Sequence, residues 1–342
     1  MIVTSTPYRV SFFGGGTDYP VWFEEHGGAV LAMSINRYCH IACRFLPPFH
    51  EHKHRIVWSK IEMVNEVDEI QHPAVREALR FMEIQEGLEI HHNGDLPARA
   101  GLGSSSAFAV GLLHALHALK GKIVSKRQLA EEAIHLEQTL LKENVGVQDQ
   151  ITTAFGGLNR VVFSRYGGFE VNPVPMKVSR RKELESHLLL FYTGVARTAS
   201  DIAGEKIASI PQKEIVLHRM REMVDEGVEI LANGSDIRDF GVLLDEAWQR
   251  KREITEKISN NLIDEMYDHA RCAGAIGGKL LGAGGGGFML LFVEPEKHRA
   301  VLDALMKFLV VPIELENRGT HIQVYEEDLY SLTAHQSREF VR

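Results

Sequence analysis

The chain has 342 residues, 44% of them hydrophobic and 25% charged, enough to bury a substantial core and to fill two domains. A net charge of -8, with no Lys/Arg block interleaved with aromatics, argues against a nucleic-acid partner. Apolar runs such as Leu188 to Tyr192 and Phe288 to Val293 fall far short of the roughly 18 residues of a membrane span, and the N-terminus lacks a signal-peptide pattern. A cytoplasmic enzyme is therefore expected.

In chain order, Val3 to Phe13, Ala29 to Phe45 and Arg55 to Val64 carry β-branched and aromatic residues between Gly and Pro breaks and predict strands. His50, His52 and His54 sit beside Pro47 and Pro48 without helical spacing and read as a solvated loop or hairpin. Leu88 to His92 predicts another strand. After it, Phe108, Leu112, Leu116 and Leu119 form one stripe of a helix over Ser104 to Lys120. Ser125 followed by Gln128 is a capping-box pattern, predicting a helix to about Asn144 that Gly146 stops. Arg180, Arg181 and Lys182 lack periodicity and mark a boundary near residue 185, which divides the chain into 1–185 and 186–342. The second part predicts a strand at His187 to Thr193, helices over about 211–232, 235–258 and 260–275, a glycine run and closing strands. Helices and strands thus alternate without repeats, an α+β or α/β enzyme pattern. Cys39, Cys43 and Cys272 form neither a disulfide framework nor a zinc ligand set and read as buried thiols.

Gly101, Leu102, Gly103, Ser104, Ser105 and Ser106 lie between a strand and a helix. Glycines let backbone N–H groups and the helix N-terminus converge on an anion, and the hydroxyls add donors or metal ligands; an ordinary capped helix start is the competing reading. The loop lacks the closing Gly-Lys-Ser/Thr of a P-loop NTPase. Gly282 to Gly287 spells GxGxxG but runs into a strand instead of opening a helix, so a dinucleotide oxidoreductase loses its context. No protein-kinase motif set accompanies either loop.

Glu137 interrupts the apolar row Leu129, Ala133, Leu141. It needs a partner, either Mg²⁺ or a basic side chain. Asp149 follows the helix-ending Gly146 and is either a cleft carboxylate or a turn former or N-cap of a following helix. At the N-terminus, Arg9 lies on a strand that leads into Gly14, Gly15, Gly16, Thr17 and Asp18. Facing a cleft, Arg9 would supply a permanent charge to a transferring phosphoryl group; facing outward, it is an edge residue. Trp58, Ser59 and Lys60 offer stacking and polar contacts to an adenine, although Trp58 also suits a core.

Together, PYRVSFFGGGTDYP, PARAGLGSSSAF, GVQDQ and KLLGAGGGGFMLLF resemble, in order and spacing over nearly the whole chain, the motifs of the GHMP small-molecule kinases. Within that superfamily the chain most resembles the D-glycero-D-manno-heptose 7-phosphate kinases of bacterial surface-polysaccharide synthesis. The resemblance implies a two-domain fold, with an N-terminal domain like ribosomal protein S5 domain 2 and a ferredoxin-like C-terminal domain. It also implies ATP and Mg²⁺ as cofactors. Gly101 to Ser106 would hold the ATP phosphates, one of Ser104 or Ser105 with Glu137 would ligate Mg²⁺, and Asp149 would face the substrate hydroxyl flanked by Arg9. The substrate would be a small sugar, with Asp18 and Thr17 at its hydroxyls and the stretch Gly14 to Gly16 and Gly284 and Gly285 around it; a phosphate on it would need a cation, and Arg197, at the end of a predicted strand, is either that clamp or a surface salt bridge. Galactokinases carry GEHTDY where this chain has GGGTDY, so the Glu and His side chains of that pattern are missing here while its Asp is kept. Kinases of fucose, mannose or unphosphorylated heptose are the alternatives, with a non-catalytic sugar sensor behind them; a homo-oligomer is compatible with the sequence.

Overall fold

The protein, seen here as a computed structural model, is described for residues 1–47, 49–194, 204, 207 and 209–326. In chain order its strands are β1 Ile2–Phe13, β2 Gly28–Phe45, β3 His54–Val57, β4 Ile61–Val64, β5 Leu88–Gly94, β6 Leu158–Phe163, β7 Phe169–Pro173, β8 Leu188–Tyr192, β9 Ala275–Leu280, β10 Phe288–Val293, β11 Leu309–Val311 and β12 His321–Tyr325. The helices are α1 Pro20–His26, α2 Pro73–Phe81, α3 Ser104–Leu119, α4 Lys126–Ile134, α5 Gln148–Phe155, α6 Val178–Ser186, α7 Glu214–Asn233, α8 Ile237–Arg252, α9 Asn261–Cys272 and α10 His298–Ala304. The strands form two sheets. The first runs β12-β1-β2-β5-β3-β4, with β6 also on β2 and β7 on β6; the second is β11-β8-β10-β9 and fully antiparallel. In the first sheet β3 and β5 pair in parallel, joined by β4 and α2.

Helix α3 lies on β1 and β2 and is buried along most of its length, more than a single apolar stripe requires, because α4 and α5 cover its other side. Gly111 permits the close approach: a Cβ there would sit 2.8 Å from Thr6 Oγ1, and the Thr4 hydroxyl donates to the Gly111 carbonyl. Phe12 and Phe13 at the end of β1 meet Phe240 of α8 edge-on at 5.2 and 5.0 Å, which joins the first sheet to the helices of the second.

Several sequence expectations change. Arg55 to Val64 is not one strand but the hairpin β3–β4, because the chain turns at Trp58 to Lys60. His54 is buried on β3, and desolvation lowers its pKa to about 4, so it does not belong with a solvated loop. Cys39 and Cys43 are buried, whereas Cys272 is exposed. Arg180 to Lys182 are helical, in α6, where Arg180 donates to the carbonyls of Ile230 and Ser235. Strand β12 pairs with β1, so the end of the expected 186–342 block completes the first sheet. The helix at 235–258 ends at Arg252, followed by a short 3-10 turn. Among the described residues no helix is long and apolar enough to cross a membrane.

Helix α8 approaches β9 through paired glycines, since a Cβ on Gly277 would lie 2.0 Å from the Gly241 carbonyl oxygen. We expect Gly277→Ala to cost about 1–3 kcal/mol in denaturant unfolding through this overpacking. Gly121→Ala, with nothing within 4 Å but φ +66°, should lose only the smaller left-handed strain of about 1 kcal/mol.

Candidate active site

A cleft of about 370 Å³ is lined by residues of β1, the glycine loop, the start of α5, α8 and β9, and among the expected site residues Arg9, Gly15, Asp18, Gly101, Gly103, Ser104, Ser105 and Asp149 converge on it. Arg9, pointing inward from β1, is almost fully buried. Its Nε and Nη2 donate to the two carboxylate oxygens of Asp149 at 2.7 Å each, and its Nη1 donates to the Gly101 carbonyl at 2.7 Å. This two-pronged pairing fixes the Asp149 carboxylate in one plane. Each oxygen keeps acceptor capacity beyond the arginine, and the Asp149 side chain remains 24% exposed, toward the cleft. Asp149 is neither a turn former nor an N-cap, because Val147 caps α5 and Asp149 sits in its first turn.

The glycine loop meets this pair. Gly103, in a left-handed conformation at φ +70°, starts α3, and a Cβ on it would lie 3.1 Å from Arg9 Cγ and 3.4 Å from Asp149 Oδ2. A bulkier residue would therefore separate the helix N-terminus from the carboxylate. Gly101 packs on the other glycine motif: its Cβ would fall 2.6 Å from the Leu281 carbonyl oxygen, and one on Gly282 would fall 2.4 Å from Gly101 Cα. Leu102 is buried in the core, with its carbonyl accepting from the Arg9 backbone N–H. Ser104 Oγ accepts from the Arg99 N–H across the loop, Ser105 is exposed to the cleft, and Ser106 is buried.

The helix expected to run to Asn144 instead passes from α4 into a π-helical turn, His135–Leu140, and stops there, with Lys142 at φ +55°. Such turns insert one residue per turn and re-aim a side chain inward. Here the buried residue is Glu137, whose Oε2 accepts from Ser106 Oγ at 2.7 Å and from Gln150 Nε2 at 2.5 Å. Oε1 is buried without a hydrogen-bond partner, and no basic side chain is paired with the group among the described residues. Burial raises its pKa to about 7, with Glu143 adding to the rise and hydrogen bonds from Ser106, Ser105 and Gln150 opposing it. An unpartnered carboxylate oxygen beside serine hydroxyls fits a hard dication such as Mg²⁺.

On the opposite wall, Gly14 turns the chain at φ +80°. The Gly16 N–H donates to Asp18 Oδ1 at 2.8 Å, and Gln148 Nε2 donates to Asp18 Oδ2 at 3.0 Å, while Gln148 Oε1 accepts from Ser11 Oγ. Gly15 and Asp18 line the cleft. Thr17 does not; its hydroxyl is buried against the carbonyls of Gly14 and Ala29 and shapes the turn. Gly146, expected as a helix stop, is placed by this wall: a Cβ there would be 1.9 Å from Asp18 Oδ2.

Gly284 and Gly285 turn away from the cleft, which Gly282 and Ala283 line instead; the Gly285 N–H donates to the Ile258 carbonyl and its oxygen accepts from Asn260. Trp58, Ser59 and Lys60 occupy the β3–β4 hairpin tip and do not line it. Trp58 Nε1 donates to Glu62, and its ring meets His72 edge-on. Arg197 lies outside the described residues. Sequence reasoning missed Gln148, Arg99, Lys251 and Lys279. The buried ammonium of Lys251 donates to the carbonyls of Leu280 and Gly282, and that of Lys279 to the Phe12 carbonyl. Lone lysines in α8 and β9 carry no local pattern; their contacts depend on the tertiary approach of β1, β9 and the glycine run.

The model of the GHMP kinases N terminal domain matches residues 70–157, and that of the GHMP kinases C terminal domain matches residues 228–310. The chain belongs to the GHMP kinases, and is accordingly an ATP-dependent phosphotransferase acting on a hydroxyl acceptor. It is 29% identical over 325 residues to the D-glycero-alpha-D-manno-heptose 7-phosphate kinase of Campylobacter jejuni, covering 90% of this chain and 93% of that protein. It is 27% identical to the bifunctional fucokinase/GDP-fucose pyrophosphorylase of Arabidopsis thaliana, over 91% of this chain and 32% of that one. A crystal structure of a D-glycero-D-manno-heptose 1-phosphate kinase from Bacteroides thetaiotaomicron superposes with a TM-score of 0.78 at 23% identity, covering 96% of this chain and all (100%) of that one; at this identity the likeness is one of fold. The two-domain fold expected from the motifs is thus the one observed.

Because burial favours the protonated Glu137, that group stabilises the metal-free fold below its ordinary value of 4.5, and the contribution is lost as pH rises toward about 7. In EDTA, the stability of wild type relative to Glu137→Gln should fall between those limits by at most about 1.4 kcal/mol per pH unit and level off above them. Denaturant unfolding from pH 4 to 8 measures this; parallel curves for the two proteins would contradict the raised pKa.

Proposed function

We propose that this kinase phosphorylates C1 of D-glycero-D-manno-heptose 7-phosphate with ATP, giving the 1,7-bisphosphate and ADP as a step toward a nucleotide-activated heptose for a surface polysaccharide. The observation that carries the reading is the contact of the Arg9-fixed Asp149 carboxylate with Gly103 at the start of α3. It sets a proton acceptor beside a loop suited to the phosphates of ATP.

In this reading, loop residues 101–106 hold the ATP phosphates. Glu137, with Ser104 or Ser105, holds Mg²⁺, which when bound neutralises charge on the phosphate oxygens. Asp18, held by Gly16 and Gln148, accepts hydrogen bonds from sugar hydroxyls. Asp149 takes the proton of the attacking hydroxyl as its oxygen bonds to the γ-phosphorus and the bond to the ADP oxygen breaks. Arg9 keeps the carboxylate aimed and adds positive charge to the transfer. Lys251 and Lys279 place two more cations in the cleft wall, consistent with a polyanionic complex.

The likeness to a heptose 7-phosphate kinase supports the substrate, and the likeness to a fucokinase supports the second reading, an unphosphorylated sugar. A coupled ADP-release assay with Mg·ATP against galactose, mannose, fucose, the heptose and its 7-phosphate separates them, with phosphorus NMR of the product. Selective conversion of the 7-phosphate to a 1,7-bisphosphate is the expected result; preferred turnover of an unphosphorylated sugar overturns the substrate assignment while keeping the kinase.

Asp149→Asn should lower kcat by about 10²- to 10⁴-fold with the fold intact by circular dichroism, the scale of losing a general base. Near wild-type turnover would remove Asp149 from the proton transfer.

A further inference from the structure

Beyond the cleft, α1 and the first turn of α7 bring three metal-binding groups together. His26 is the last residue of α1, and Glu214 and His218 share a face of α7 at i and i+4. One ligand atom from each lies within 4.8 Å of the others, the one such grouping of three or more His, Cys, Asp or Glu among the described residues. His26 Nε2 is 3.6 Å from Glu214 Oε1 and 3.7 Å from Glu25 Oε2. The buried indole of Trp22 stacks on His26 at 4.1 Å and meets the exposed His218 edge-on at 5.0 Å. The two imidazole rings lie 5.3 Å apart with their planes at 84° to each other.

We propose that His26, Glu214 and His218 form a site for a transition-metal dication of the zinc class, distinct from the magnesium site, and that the bound ion ties α1 to α7. Two imidazoles and a carboxylate are a borderline-soft donor set that suits Zn²⁺, whereas Mg²⁺ prefers oxygen ligands throughout. Tetrahedral zinc with ligands at about 2.0–2.1 Å holds its donor atoms about 3.3 Å apart. Glu214 and His218 are exposed, and rotation of their side chains closes the remaining distance. Glu25 or a water completes four-coordination. The bridge joins the helix that follows the Gly14–Asp18 turn to a helix of the second half of the chain, so metal binding also stabilises the fold.

The test is calorimetric titration of Zn²⁺ into the EDTA-stripped full chain without nucleotide, with Co²⁺ absorption as a readout of tetrahedral nitrogen ligation. One equivalent should bind with a rise in melting temperature, and affinity should drop about tenfold or more in both Glu214→Gln and His218→Ala. Both variants should keep zinc-free Mg·ATP turnover, which verifies their folding. Equal Zn²⁺ affinity in wild type and variants, absence of binding, or equal displacement by Mg²⁺ would overturn the site.

Discussion

The cleft exists because two glycine-rich stretches, nearly two hundred residues apart in sequence, touch backbone to backbone. Gly101 lies against Leu281 and Gly282, and Ala100 lies against Gly287, at separations where a side chain on Gly101, Gly282 or Gly287 would meet main-chain atoms. A clash with main chain cannot be relieved by a rotamer change, so the contact requires glycine from both sides. It brings the start of α3 under the β9–β10 turn and leaves the Gly282 carbonyl facing the Lys251 ammonium. The same glycines that let a backbone approach an anion also let one half of the molecule approach the other.

Arg9 continues the seam inward. It spans from β1 to Asp149 in α5 and to the Gly101 carbonyl in the loop, three segments that share no local sequence. A buried guanidinium is costly unless its donors are used, and here all three of its nitrogens donate hydrogen bonds. Truncating it would leave the carboxylate and the loop carbonyl without a common partner, so its structural and chemical roles are not separable by deletion alone.

Much of this was legible. Glu137 broke an apolar row, while Arg9, Asp18, Asp149 and the Gly101–Ser106 loop stood in the glycine-bearing stretches that resemble the kinase motifs, and the structure gathers them around one cleft or directly behind it. What escaped has physical causes. Gly146 reads as a helix stop in sequence, yet the helix ends earlier in a π-helical turn, and the glycine is required by the Asp18 carboxylate on a distant turn. Thr17 looks like a sugar ligand beside Asp18, but the alternation of the turn buries its hydroxyl against carbonyls. Gly284 and Gly285 share a motif with Gly282, and only the packing of Ile258 against the turn decides which of them face the cleft.

The two carboxylates near the loop are compensated in opposite ways. Asp149 has a permanent cation bonded to both oxygens, so its charge is balanced in the resting protein. Glu137 is deeper, has only neutral donors on one oxygen and none on the other, and is pushed toward the protonated form by burial. A site with a built-in countercharge holds its carboxylate oriented without a ligand. A site without one is neutralised by a proton or by a cation, and a cation must displace that proton to bind. The π-helical turn that puts Glu137 in the interior is therefore a local irregularity whose desolvation cost falls on the empty protein, and a cation bound at that carboxylate would offset it.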